Sequence, residues 1–401
     1  MSSNTDLQAT HQIIGFLEEA KAKSETVLDL MPGLFLVIDS KGLVYRGNRI
    51  LADFLEVPFE EIGGCQFDQK IGKEAWEIFC EMIKLPGLTA HSGVDFEINL
   101  SDQASGKKNY MWNLRPLEFA SQNRQGSELY ALIGRDVTEV KTAAEHVTRM
   151  QSELITAKTV QDTLFPDTEL NFINCAVSGY YQPATECGGD WWFHNFIDEK
   201  VFLWIGDVTG HGVGAAMVAS SARSTVAILE TVTALTPATA LTYLNKAIFS
   251  TSKSMKLMSF CVVSIDLKTG SCCYSVAGHE TPILIKKTND VSQIHHLPSQ
   301  PSCLLGQESS PQFVNSDFKL LPGDRLFLAT DGVNELKNNK RMDWGARRAN
   351  KVILQSSNKS RNPGQFVEEL KNEMSRFQDG EALHDDVTFL MFEMRKYLKT
   401  N

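Results

Sequence analysis

One stretch constrains this chain more than any other: Val201 to Ala216, VFLWIGDVTGHGVGAA, where a run of bulky apolar residues stops at an acid and a cluster of glycines. Val201, Phe202, Leu203, Trp204 and Ile205 have the composition and length of a buried strand. Gly206, Gly210, Gly212 and Gly214 allow backbone angles and close approaches that side chains forbid. Asp207 is thereby delivered to the rim of a core. An ionised carboxylate removed from water costs several kcal/mol unless a cation compensates, so the placement calls for a metal ion, an Arg or Lys, or open solvent. Taken alone, the stretch reads equally well as a polar turn after a strand.

The same grammar recurs. Asp331 follows the apolar run from Arg325 to Thr330 and precedes Gly332, while Asp385 and Asp386 stand immediately before the strand-like run Val387 to Phe392. Asp190 lies in GGDWW, just ahead of the strand that ends in Asp207. Acids at strand ends converge at one edge of a sheet when two strands run toward it and one runs away, as antiparallel pairing allows. Such a group repels itself. Hard divalent cations hold oxygen ligands together, and the lack of a His or Cys ligand set favours Mg²⁺ or Mn²⁺ over Zn²⁺.

In this order GGDWW, GDVTGHG, AGHETPIL, ATDGVNE and DDVTF resemble the metal-dependent serine/threonine protein phosphatases of the PPM class. The resemblance is closer to the bacterial branch of the sporulation stage II protein E phosphatase and the regulators of sigma-factor partner switching. It covers about residues 150 to 396. It implies an α+β fold, an αββα sandwich of two antiparallel sheets flanked by helices, and two Mn²⁺ or Mg²⁺ ions. Asp207 would bridge the ions, with the backbone carbonyl of Val208 completing one shell, and Asp331 and Asp385 would bind the second ion. Asp190 matches the acid that holds a water on a metal, which makes Asp190 and Asp207 the catalytic carboxylates. The family's ligand is the first residue of its final acidic pair, which picks Asp385, and Asp386 is the one-residue alternative. Alternation along a strand keeps both from facing one ion. Two such cations lower the pKa of a bridging water and neutralise phosphoryl oxygens as it attacks in line. Animal members hold the phosphate with a basic residue, which these five blocks do not supply. His211 and His279 lie within the glycine-rich blocks, either to assist proton transfer or to support the loops by hydrogen bonds.

The chain of 401 residues is long enough for two or three domains, and its 42% hydrophobic content is that of a globular protein. No apolar run approaches the roughly 18 residues that span a bilayer, and the N-terminus lacks a charged start followed by an apolar core, so the cytoplasm is the expected location and no membrane is involved. Eight Cys without a CxxC pair read as reduced thiols. A net charge of −10, with no basic cluster among aromatics, argues against nucleic acid as a partner.

Ahead of the five blocks, residues 1–24 belong to an N-terminal helix within a helical pattern from Leu7 to Met31, which Pro32-Gly33 ends. Two apolar runs from Leu34, joined by Asp39-Ser40-Lys41-Gly42, signal a hairpin. Helices at Arg49 to Leu55 and Lys73 to Ile83 follow, then strands at Val94 to Leu100, Asn109 to Phe119 and Glu128 to Asp136, with a polar loop from Ala120 to Ser127. This order, with the closing Gly134-Arg135-Asp136-Val137-Thr138-Glu139, resembles a PAS sensor domain over residues 25–138. Its ligand is unknown. His11 and His91 are a poor basis for haem, Cys65 and Cys80 read as packed thiols rather than flavin-reactive ones, and Trp112 suits either a pocket or a core.

Residues 139–166 form a helical linker, and 167–396 the phosphatase-like domain. In the linker Ala143, Val147, Met150, Leu154, Ala157, Gln161 and Leu164 alternate in steps of four and three, the seam of a coiled coil, and a homodimer through linker and sensor is expected. Two functional classes remain. One is a sensor-regulated phosphatase acting on a phosphorylated regulatory protein, of the anti-sigma antagonist type by analogy with the bacterial branch. The other is a catalytically silent relative that keeps the fold and sequesters such a partner. A diguanylate cyclase, suggested by Gly188-Gly189-Asp190, fails because Trp191 and Trp192 replace the Glu-Phe such enzymes need.

Overall fold

The computed structural model describes residues 16, 18–102, 106–117, 128–167, 169–288, 291–298 and 301–397. The chain parts into two compact units, Met1–Arg149 and Met150–Asn401.

In the first unit, α1 spans residues 18–29, and residues 7–15 of the expected helix lie outside the described residues. The hairpin of β1 (Leu34–Asp39) and β2 (Val44–Gly47) closes where the Asp39 carboxylate accepts the backbone N–H groups of Lys41 and Leu43. Gly42 there has φ +85°, a value that favours glycine. Next come α2 (Arg49–Leu55), whose first turn Asn48 caps, α3 (Phe67–Ile71) and α4 (Lys73–Ile83). Then β3 (Val94–Asp102), β4 (Gly106–Pro116) and β5 (Leu129–Asp136) complete an antiparallel sheet in the order β2-β1-β5-β4-β3. The second of these strands stops at Pro116, short of the expected Phe119, and residues 118–127 with the expected loop lie outside the described residues. Trp112 is fully buried, edge-on to Phe67 at 5.9 Å and Phe79 at 5.2 Å, so it is core rather than pocket wall. His91 is exposed, and Cys65 and Cys80 are half-buried.

A single helix, α5 (Thr138–Asp162), leads from the first unit into the second. In the second unit, β6 (Glu169–Asn171), β7 (Cys175–Gln182), β8 (Trp191–Ile197) and β9 (Lys200–Val208) precede two helices, α6 (Val213–Leu229) and α7 (Pro237–Ser252). Thr236 caps α7 and Pro237 occupies its first turn, where the missing N–H costs nothing. Then follow β10 (Met258–Asp266), β11 (Ser271–Ala277), β12 (Ile283–Thr288), β13 (Val291–His296), β14 (Ser316–Lys319) and β15 (Arg325–Ala329). The last elements are α8 (Gly332–Glu335), α9 (Gly345–Lys359), α10 (Pro363–Gln378) and β16 (Val387–Met394). They form two antiparallel sheets, β14-β11-β10-β9-β8 and β13-β12-β15-β16-β7-β6.

Strand alternation explains the layering. Val201, Leu203 and Ile205 of β9 meet Cys175, Val177, Leu390 and Phe392 of the other sheet in one dry cluster. Phe202, Trp204 and Val208 face the opposite way, onto Ala219, Ala222, Leu241 and Leu244 of α6 and α7. On the far side Phe327, Phe389 and Met391 pack against Ile353, Phe366 and Leu370 of α9 and α10. Each such large side chain contributes about 1.5–3 kcal/mol through burial. The result is the layered α+β arrangement the motifs imply. Elements with no expected counterpart include β8, β13, β14 and α9, and the acids sit at the ends of two sheets rather than at the edge of one.

Candidate active site

Each acid is set by the end of an element. Asp207 is the penultimate residue of β9, opposite Ser259 of β10. Asp190 comes immediately before β8 and is only 1% exposed, its Oδ2 accepting the Thr330 hydroxyl at 2.8 Å. Asp331 opens α8, its carbonyl accepting the N–H groups of Asn334 and Glu335. Asp385 lies just before β16 and accepts the Asp386 N–H at 2.9 Å. The Asp190 and Asp207 carboxyl groups share a hydrogen bond, and Asp207 also feels Asp331, Asp385 and Asp386. Two acids therefore arrive from one sheet and two from the other.

Asp385 and Asp386 differ in their contacts. Asp386 is 3% exposed, with Oδ1 accepting the Ala184 N–H at 2.8 Å and Oδ2 accepting that of Gly189 at 2.6 Å. It is engaged as a clamp on the Gly188-Gly189-Asp190 loop, whereas Asp385 acts on Asp331 through its charge. The glycines are required by close approach: a Cβ on Gly332 would run into the Asp386 carbonyl oxygen, and one on Gly189 would sit 2.9 Å from that of Val208. The Val208 carbonyl thus borders the Asp190 loop.

The electrostatics are those of crowded carboxylates. Burial first, and then Asp331, push Asp207 up to about 7, although its hydrogen bond with Asp190 acts in the opposite direction. Burial and then Asp207 drive Asp190 well above the carboxylate range. Burial followed by Asp385 raises Asp331, and burial also raises Asp386 against the pull of its backbone donors. Among the described residues, no three His, Cys, Asp or Glu side chains stand close enough to be a ready-made shell for one ion. The donors nevertheless fit divalent cations: all are hard oxygens, and the neighbouring charges that raise Asp190, Asp207, Asp331 and Asp386 are other carboxylates.

The two histidines part company. His211 is exposed. His279 is 8% exposed, bonded through Nδ1 to the Ser259 hydroxyl at 2.7 Å, and burial pushes it down to about 4, so it supports the strand as a neutral ring.

One contributor was misread in the sequence. Gln161 is the buried residue of α5, and its amide clasps Gly188 from both sides: Nε2 donates to the Gly188 carbonyl at 2.6 Å and Oε1 accepts its N–H at 3.2 Å. The Trp191 indole donates to the Leu164 carbonyl at 3.0 Å. The seam positions Gln161 and Leu164 are thus committed to their own unit, while Ala143, Val147 and Met150 are exposed. A lone amide in an apolar repeat was the signal.

Acids from facing sheets, glycine-rich turns between them and helices on both outer faces define a PPM-class phosphatase fold. Residues 197–395 match the stage II sporulation protein E (SpoIIE) family, to which the second unit is similar. The chain is 23% identical over 337 residues to Protein IcfG of Synechocystis sp., covering 77% of this chain and 50% of that protein. It is 22% identical over 248 residues to Phosphoserine phosphatase RsbU of Bacillus subtilis, covering 61% of this chain and 71% of that one. The chain therefore spans half the length of the first relative. The solved SiaA-PP2C domain of Pseudomonas aeruginosa superposes with a TM-score of 0.52 at 20% identity, over 63% of this chain and 98% of that domain, and so shares the fold. No described helix is long and apolar enough to cross a membrane, and all eight Cys are unpaired.

Proposed function

We propose that this protein is a sensor-regulated, metal-dependent serine/threonine phosphatase that hydrolyses phosphoserine or phosphothreonine on a regulatory protein of the anti-sigma antagonist type. The observation that carries the reading is the gathering of Asp190, Asp207, Asp331 and Asp385, distant in sequence, into one mutually repelling group. Asp207 and the Val208 carbonyl would hold a first Mn²⁺ or Mg²⁺ ion, with Asp207 shared by a second that Asp331 and Asp385 complete. Bound there, the ions would supply a nucleophilic hydroxide near neutral pH and neutralise the phosphoryl oxygens.

The chain's own residues do the rest. Asp190, buried and accepting the Thr330 hydroxyl, would orient a water at the metal site. Asp386 and Gln161 fix the loop that aims it. The likeness to RsbU, a phosphoserine phosphatase, supports the substrate class. The antiparallel order β2-β1-β5-β4-β3, with helices between β2 and β3, supports a PAS-like sensor, whose ligand is unassigned. Exposed Val147 and Met150 on α5 support a coiled-coil homodimer over the stretch that is not clasped. Hydrolysis of an aryl phosphate, with Mn²⁺ added or chelated, tests the reading. Wild type should turn over only with metal and Asp207→Asn should not, whereas equal rates in both proteins would mean that the site is misplaced.

A further inference from the structure

We propose that Lys256 is the residue that holds the phosphoryl group of the substrate; the assignment rests on the phosphatase reading and deepens it. Lys256 lies between α7 and β10, half-buried, and its position is built from the loop that follows Asp207. The Thr209 N–H donates to the Leu257 carbonyl at 2.8 Å, the Leu257 N–H donates to Thr209 Oγ1 at 3.1 Å, and Lys256 Nζ donates to the Thr209 carbonyl at 2.7 Å. Two bonds thus tie the Leu257 backbone to Thr209, two positions beyond Asp207, and a third brings the Lys256 ammonium group onto the same residue.

Two glycines stand beside the Lys256 side chain. A Cβ on Gly214 would meet only Lys256 Cε, at 4.0 Å. Gly210, with φ +74°, brings its Cα side to the ammonium, a Cβ there lying 3.1 Å from Nζ. An ammonium has three donors and no acceptor. The Thr209 carbonyl takes one, leaving two for an anion on the open glycine face.

The charge balance of the site asks for such a group. A phosphomonoester brings about −1.5 to −2 charges at neutral pH toward four carboxylates. Ions shared among those acids answer part of this repulsion, and a fixed cation on the loop answers more. Lys337, on the Asp331 side, is otherwise employed: it draws down Glu335, which burial, Asp331 and Asp385 raise. Among the described residues, Lys256 bonds a carbonyl and no carboxylate.

The test compares Lys256→Gln, which keeps a donor for the Thr209 carbonyl but loses the charge, with Lys256→Arg, which keeps the charge, and with Lys337→Gln. Each full-length protein is assayed with an aryl phosphate and with a phosphoserine protein substrate, and the inhibition constant of inorganic phosphate is measured. Loss of a charge-assisted hydrogen bond predicts that Lys256→Gln raises KM and the phosphate inhibition constant together, roughly ten- to a hundredfold. The Mn²⁺ concentration for half-activation and the melting temperature should stay as in wild type. Lys256→Arg should recover most of the affinity, and Lys337→Gln should match wild type. An active wild type whose phosphate inhibition is unchanged in Lys256→Gln overturns the assignment alone, as does an Arg variant as weak as the Gln variant. A wild type without metal-dependent hydrolysis removes the phosphatase reading and this assignment together.

Discussion

Substituting Asp207 by Asn should do two opposite things at once. In the metal-free protein Asp207 is held at about 7 against an ordinary 3.8, because burial and neighbouring acids disfavour its charge. At about 1.36 kcal/mol per pH unit of that difference, the ionised side chain costs the fold roughly 4 kcal/mol. A carboxyl raised in the fold contributes its full stabilisation below the unfolded value and loses it as pH rises through the folded value. Between pH 5 and pH 8 the loss comes to about 2.5 kcal/mol. An Asn still bonds to Asp190 but carries no charge. Thermal unfolding with EDTA should therefore show wild type melting about 5–10 °C lower at pH 8 than at pH 5 through this group, with a flatter profile for Asp207→Asn. Added Mn²⁺ should restore wild type at pH 8 and leave the variant unmoved, while metal-dependent hydrolysis disappears. A metal-free variant that melts at or below wild type at pH 8 would refute the claim that repulsion dominates this site.

Asp386→Ala leaves the N–H groups of Ala184 and Gly189 unpaired in a buried loop, and about 3 kcal/mol of stability should be lost in denaturant titration, with Asp386→Asn milder. Gly332→Ala drives a methyl group into the Asp386 carbonyl, and the purified variant should be poorly folded by circular dichroism or lack metal-dependent turnover. Gln161→Leu removes both bonds to Gly188, so turnover should fall more than tenfold while the fold survives; unchanged kcat would reduce the clasp to packing. Light scattering at micromolar concentration should give a dimer mass, and a monomer would remove the coiled-coil reading.

The sequence disclosed the acids because each stands where an apolar run meets glycine or a turn, a local pattern. It also disclosed helices such as Arg49–Leu55 and Lys73–Ile83, whose ends are marked by Asn48 and Gly72. What it hid was partnership. In Trp191–Ile197 the polar His194 and Asn195 blurred a strand whose neighbour is β9. Gly345–Lys359 carries Arg347, Arg348 and Lys351 and looks like a polar loop until its narrow apolar face meets the sheet. Asp385 and Asp386 are indistinguishable as letters, and the N–H groups that Asp386 accepts, from Ala184 and Gly189, lie about two hundred residues away in the chain.

Because Asp190 and Asp207 ride on one sheet and Asp331 and Asp385 on the other, the acid group is also a gauge of how the two layers are stacked. Ile205 and Leu390, which touch no ligand, lie in the seam whose thickness sets the span between those pairs. Trimming either side chain leaves a core cavity that costs about 2–5 kcal/mol and lets the layers settle closer, so substitutions in the greasy interior shift the spacing of the acids with no change at any acidic position.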